Sequence, residues 1–166
     1  MKLTAQEEYG LRCLLQIGRR APNGGLTIPQ VGAAEGISVH HAGKILQILR
    51  HGGFLKAARG QAGGYTLARS PGEIVIGDVL SVLGGRLYED KFCDGHSGSA
   101  DDCTHSIDCS IRSLWRTVQT AVDEVLGKTT LKDLLRKEEE MNSWLNGLVT
   151  LESAPVPTTG TAGRRT

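Results

Sequence analysis

The chain has 166 residues, enough for one domain with an extension and for a core of its own. With only two Phe, three Tyr and two Trp, that core has to be built from Leu, Ile, Val and Ala. No apolar run reaches bilayer length, and the opening MKLTAQEEYG is too polar for a signal peptide. A cytoplasmic chain with reduced rather than paired thiols is therefore expected. The net charge of +1 conceals a division. Residues 1–70 hold nine Lys or Arg against three Asp or Glu, a net of +6, whereas residues 71–166 hold ten against fifteen, a net of −5. A basic first half joined to an acidic second half is the pattern of a polyanion-binding module with something attached.

In chain order, Thr4-Ala5-Gln6-Glu7 has the capping-box pattern, and Leu11, Leu14, Leu15 and Ile17 support a helix to about Arg20. Pro22-Asn23-Gly24-Gly25 breaks it. Thr27 caps a short second helix that runs to Glu35 and ends at Gly36. Ser38 caps a third, with Val39, Ala42, Ile45, Leu46 and Leu49 predicted on one buried face and Gly52-Gly53 as the stop. Phe54–Arg59, a Gly-rich turn over residues 60–64, and Tyr65–Ala68 read as a hairpin with a basic tip. Pro71-Gly72 breaks again, and Ile76–Leu83 is a further short helix ended by Gly84-Gly85.

Residues 89–108 have no apolar periodicity and are rich in Asp, Gly, Ser and His. From Cys109 a long helix carries Ile111, Leu114, Trp115, Val118, Ala121, Val122, Val125 and Leu126 at three- and four-residue steps, a stripe suited to a core or to a partner helix. Thr130-Leu131-Lys132-Asp133 opens a last helix, predicted to reach Leu148. The expected organisation is a winged-helix domain over 1–85, a cysteine-bearing loop over 86–108, two helices over 109–150 and a disordered tail over 151–166.

Three helices followed by a hairpin is the order of a winged helix-turn-helix, mainly α with a small β-hairpin wing. On that reading the third helix enters the major groove of double-stranded DNA. The candidate contacts are Thr27, Ser38, His40, His41 and Lys44, with Arg59 and Gly60 at the wing tip, where an Arg suits the negative minor groove. Ordinary solvated surface residues are the bland alternative, above all for His40 and His41 taken singly.

Cys93, Cys103 and Cys109 fall in and beside the polar loop, separated by nine and five residues. Thiolates are soft ligands for iron–sulfur clusters or zinc, and free thiols are the alternative. Cys109 lies near a helix start, where the dipole favours the thiolate. Cys13, within the first helix, reads as a buried structural thiol.

The stretches Ile45-Leu46-Gln47-Ile48-Leu49-Arg50, Gly53-Phe54-Leu55 and Arg59-Gly60-Gln61-Ala62-Gly63-Gly64-Tyr65 resemble the IscR and NsrR family of bacterial winged-helix regulators. So do Met1-Lys2-Leu3-Thr4 and Tyr9-Gly10-Leu11-Arg12. The resemblance covers roughly residues 1–135. It implies a homodimer on a palindromic operator, a long C-terminal dimerisation helix, and a repressor that senses redox, nitric oxide or iron status through a 2Fe-2S or 4Fe-4S iron–sulfur cluster on Cys93, Cys103 and Cys109. The nine-residue first gap is longer than in many members. A fourth ligand is still needed. Where some relatives place a His after the third cysteine this chain has Arg112, and where others use an N-terminal carboxylate of the partner subunit it has Glu8. A first-turn acid favoured by the helix dipole is the other reading of Glu8, and His96 and His105 are rival ligands. A cluster-free regulator sensing by thiol oxidation or through a partner protein is the alternative function. An enzyme finds no support, because the sequence shows no Cys–His–acid arrangement and no nucleotide-binding motif.

Overall fold

The computed structural model describes residues 3–20, 24–58, 63–89, 92, 103 and 108–150. The chain divides into two units, Met1–Arg136 and Lys137–Thr166. The first unit opens with α1 (Ala5–Arg20), α2 (Ile28–Glu35) and α3 (Val39–His51). Strands β1 (Leu55–Ala58) and β2 (Gly64–Leu67) follow, then α4 (Ile76–Gly84), α5 (Ser110–Lys128) and α6 (Leu131–Leu134). The second unit is described by α7 (Glu138–Thr150), whose first turn carries Glu138, Glu139 and Glu140 at the positive end of the helix dipole. No helix of the described residues is long and apolar enough to cross a membrane.

The helix starts follow the capping signals. Thr4 N–H donates to Glu7 Oε2 at 2.6 Å while Glu7 N–H donates to Thr4 Oγ1 at 3.2 Å, closing the box at the head of α1. Thr27 donates its N–H to Gln30 Oε1 at 2.9 Å and its hydroxyl to the same oxygen at 3.0 Å. Gly36 ends α2 with φ +66°, a left-handed conformation that a side chain would disfavour. Two residues later, Ser38 Oγ accepts the His41 N–H at 3.2 Å and starts α3.

These three helices and the hairpin share one core. Leu14, Ile17, Val31, Ile45, Leu46, Leu49, Phe54, Leu55 and Leu67 meet Ile76, Val79 and Leu83 of α4 and Leu131 of α6. Each fully buried Leu or Ile there contributes about 1.5–3 kcal/mol. The hairpin pairs Leu55 with Leu67 and Ala58 with Gly64 in antiparallel register. It is tied back to the chain before α2 by a bridge the sequence did not signal, in which Leu26 and Tyr65 exchange N–H to O bonds of 3.0 and 2.7 Å. A similar clip, Ile76 N–H to Thr129 O at 2.9 Å and Leu131 N–H to Ile74 O at 2.8 Å, ties the end of α5 to the start of α4.

Three expectations change. Val39, predicted on the buried face of α3, is 53% exposed. Ser70 and Glu73 close a capping box over a single 3₁₀ turn at Pro71–Glu73, where only a break was expected. The last helix is two: α6 ends after one turn, with Leu131 buried and Leu134 and Leu135 against the core, and α7 begins at Glu138.

Gly64 shows how tightly the wing is seated. Its φ is +149°, and a Cβ there would lie 2.8 Å from the backbone of Leu26. Gly64→Ala is therefore expected to lower stability by about 1–3 kcal/mol, read as a lower denaturant midpoint at unchanged slope.

Candidate functional site

The outer surface of α2 and α3 carries most of the candidate DNA contacts. Thr27, Ser38, His40 and Lys44 are exposed, and His41 is half-buried. Gly32 lets the two helices close up, because a Cβ there would sit 3.0 Å from Ile37 O and 3.7 Å from the Val39 Cα. Arg59 and Gly60 lie outside the described residues.

Behind that surface is a polar network that sequence reasoning missed. Glu35, at the C-terminal end of α2, is 9% exposed. Arg12 Nε donates to its Oε2 at 2.5 Å and Gln16 Nε2 to its Oε1 at 2.7 Å. Its carboxylate holds the Arg12 guanidinium above its ordinary pKa through that hydrogen bond. Arg12 in turn lies over the Tyr9 ring, 5.2 Å from the centroid, and Tyr9 meets the His41 ring edge-on at 5.6 Å. Tyr9, Arg12, Glu35 and His41 thus link α1 to both helices of the helix-turn-helix. The available signal was an acid at a helix C-terminus, where the dipole disfavours it, with Arg12 and Gln16 one turn apart on another helix.

The thiols fall into two classes. Cys13 is fully buried in the core; desolvation, then the nearby Glu35 charge, push its pKa up to about 12. Cys103 and Cys109 are free and half-buried. Cys109 is the N-cap of α5, its sulfur accepting the Arg112 N–H at 3.3 Å. Cys93 lies outside the described residues, as do His96 and His105. Among the described residues no three His, Cys, Asp or Glu side chains come together as a metal site. Glu8 stands exposed on the first turns of α1.

The chain leading into the cysteine segment is anchored on α5. Buried Gln119 accepts the Tyr88 N–H at 2.8 Å and donates to Asp123 at 2.8 Å, and Asp123 pairs with Arg86. Farther up the same helix, Ile111, Leu114 and Trp115 are 58%, 56% and 41% exposed.

A trihelical core, a hairpin wing and a polar third helix define a winged helix-turn-helix DNA-binding protein. The family model described as "Rrf2: Iron-dependent Transcriptional regulator" matches residues 3–137, and the chain belongs to the Rrf2 family of transcription regulators. Protein rrf2 of Nitratidesulfovibrio vulgaris is 32% identical over 136 residues, covering 82% of this chain and 88% of the relative. The HTH-type transcriptional regulator CymR of Bacillus subtilis is 29% identical over 134 residues, covering 81% and 89%. The solved structure of CymR from B. subtilis, described as its global cysteine regulator, superposes with a TM-score of 0.61 at 28% identity, over 81% of this chain and 96% of that one. T. potens IscR superposes with a TM-score of 0.65 at 27% identity, over 81% and 86%. Like the relatives so named, the chain is a DNA-binding transcription regulator and not an enzyme.

The two thiol classes should separate chemically, because the thiolate is the nucleophile. At about pH 8, iodoacetamide is expected to label Cys103 and Cys109 in the folded protein and to spare Cys13 until denaturant is added, as read by peptide mass spectrometry.

Proposed function

We propose that this chain is a homodimeric repressor whose grip on operator DNA is set by an iron–sulfur cluster on Cys93, Cys103 and Cys109, with Glu8 of the partner subunit as fourth ligand. The observation that carries the reading is Cys109. Its sulfur is held at the N-terminus of a 19-residue helix and accepts a backbone N–H, so a soft donor is fixed in place at the end of the cysteine-bearing segment. Cys103, free and half-buried, is a second donor of the same kind.

When bound, the cluster supplies a reversible iron–thiolate centre responsive to oxidants, nitric oxide or iron supply. The chain's own residues do the rest. Cys109 fixes the start of α5, whose Ile111, Leu114 and Trp115 offer an apolar stripe to a second copy. Glu8 is exposed on α1 and so open to that copy, and its neighbour Tyr9 touches His41 on α3. A hard carboxylate would be a weak, exchangeable ligand there, and Glu8 stands one residue from the Tyr9–His41 contact by which α1 steadies α3. In the dimer the two α3 helices enter successive major grooves. Thr27, Ser38, His40, His41 and Lys44 face the bases and phosphates, and Arg59 and Gly60 reach the minor groove.

A second reading is a cluster-free regulator that responds by thiol oxidation or through a partner protein. The similarity to CymR, described as a cysteine regulator, favours it.

Iron, acid-labile sulfide and visible absorption of anaerobically purified protein decide between them. The native chain is expected to be coloured and each of Cys93→Ala, Cys103→Ala and Cys109→Ala to be bleached. Colour surviving all three substitutions sinks the cluster assignment. Iron-free native protein whose operator affinity still changes with a thiol oxidant supports the second reading. Lys44→Ala is expected to weaken binding of all duplexes alike and to flatten the salt dependence by about one phosphate contact in each subunit.

A further inference from the structure

We propose that Val39 reads the 5-methyl group of a thymine in the operator, one in each half-site; this rests on α3 being the DNA-reading helix. Val39 is the first residue of α3, directly after the Ser38 cap. Helical spacing puts it in the row of Ala42, Ile45, Leu46 and Leu49, which are at most 1% exposed, yet Val39 itself is 53% exposed. Packing does not explain a branched apolar side chain there. The positions that staple a helix start, one before the cap and four after it, are held by Ile37 and the buried Ala42. At the close approach over Gly32 of α2, the atoms nearest to a Cβ there are Ile37 O at 3.0 Å and the Ala42 Cβ and Val39 Cα at 3.7 Å, none of them from the Val39 side chain.

Nor does Val39 belong to another apolar patch. The other large exposed apolar residues among those described are Leu3, Val82, Phe92, Ile111, Leu114 and Trp115, and none lies on α2, α3 or the hairpin. Its sequence neighbours Ser38 and His40 are exposed and polar. The first turn of a recognition helix is the part that meets base edges. In the major groove the only apolar group on those edges is the thymine methyl, which cytosine lacks. A valine suits it because a β-branched side chain in a helix has one strongly preferred rotamer. Its methyls are in place before DNA arrives, and little side-chain freedom is lost on binding.

The test uses the full-length protein and an operator recovered by in vitro selection from a randomised duplex. Each thymine is then replaced singly by deoxyuridine, which keeps the pairing and removes only the methyl. One thymine in each half-site is expected at which native protein binds about four-fold more weakly after replacement, the weight of one buried methyl group (~0.8 kcal/mol). Val39→Ala, which alters both subunits of the dimer, should be indifferent to that replacement, bind the unmodified operator weaker by about the square of that factor (about sixteen-fold), and keep the native salt dependence. Alanine is the better helix former, so α3 should survive, as circular dichroism checks. Equal losses on deoxyuridine replacement in the native and Val39→Ala proteins at every thymine, or selected half-sites with no common thymine, would overturn the proposal. Failure to select any sequence would overturn the DNA-reading role of α3 along with it.

Discussion

A carboxylate at the C-terminal end of a helix sits in an unfavourable field, and burying it adds the cost of lost hydration. Glu35 does both, and the rest of the DNA-binding unit is arranged around the remedy. Arg12 and Gln16 of α1 each donate to one of its oxygens. The apolar core holds the helices together without direction, whereas this pair fixes how α1 and α2 are turned toward each other. Tyr9, under Arg12 and against His41, extends the constraint to α3. The three helices of the DNA-binding unit are thereby oriented around one buried charge.

That arrangement also joins the exposed first turns of α1 to α3. Glu8 and Tyr9 are adjacent in α1, the first exposed and the second turned to α3. At the opposite margin, the segment before the cysteines is pinned to α5 through Tyr88, Gln119, Asp123 and Arg86. The lower part of α5 reaches the core through Leu126, while its upper turns keep large apolar side chains exposed in the single chain. The helix is therefore anchored to the core near its end and leaves the apolar side chains of its first turns uncovered in the single chain.

Much of the fold was legible because its signals are local. The boxes at Thr4 and Thr27, the cap at Ser38 and the left-handed Gly36 each act within a few residues, and each lies where expected. The departures came from contacts that no window of sequence contains. The period of α3 places Val39 inward, but the helices that cover Ala42 to Leu49 leave that end of α3 uncovered. A capping box opens α6, but the leucines after it are drawn onto the core, and the acidic run from Glu138 starts a fresh helix. The Leu26–Tyr65 bridge joins residues far apart in the chain. The site divides the same way: the cysteines and the polar face of α3 are visible as residue types, whereas the Glu35 network depends on three helices being packed first.

Cys109 caps α5 with its sulfur, so the chemistry of that atom and the mechanics of the helix cannot be separated. Whatever draws the sulfur off the Arg112 N–H leaves that donor without its cap, and an uncapped first turn frays. The turn that frays is the one bearing Ile111. The position of a single atom is thereby tied to the length of a helix, and the apolar stripe beyond it begins where that cap holds.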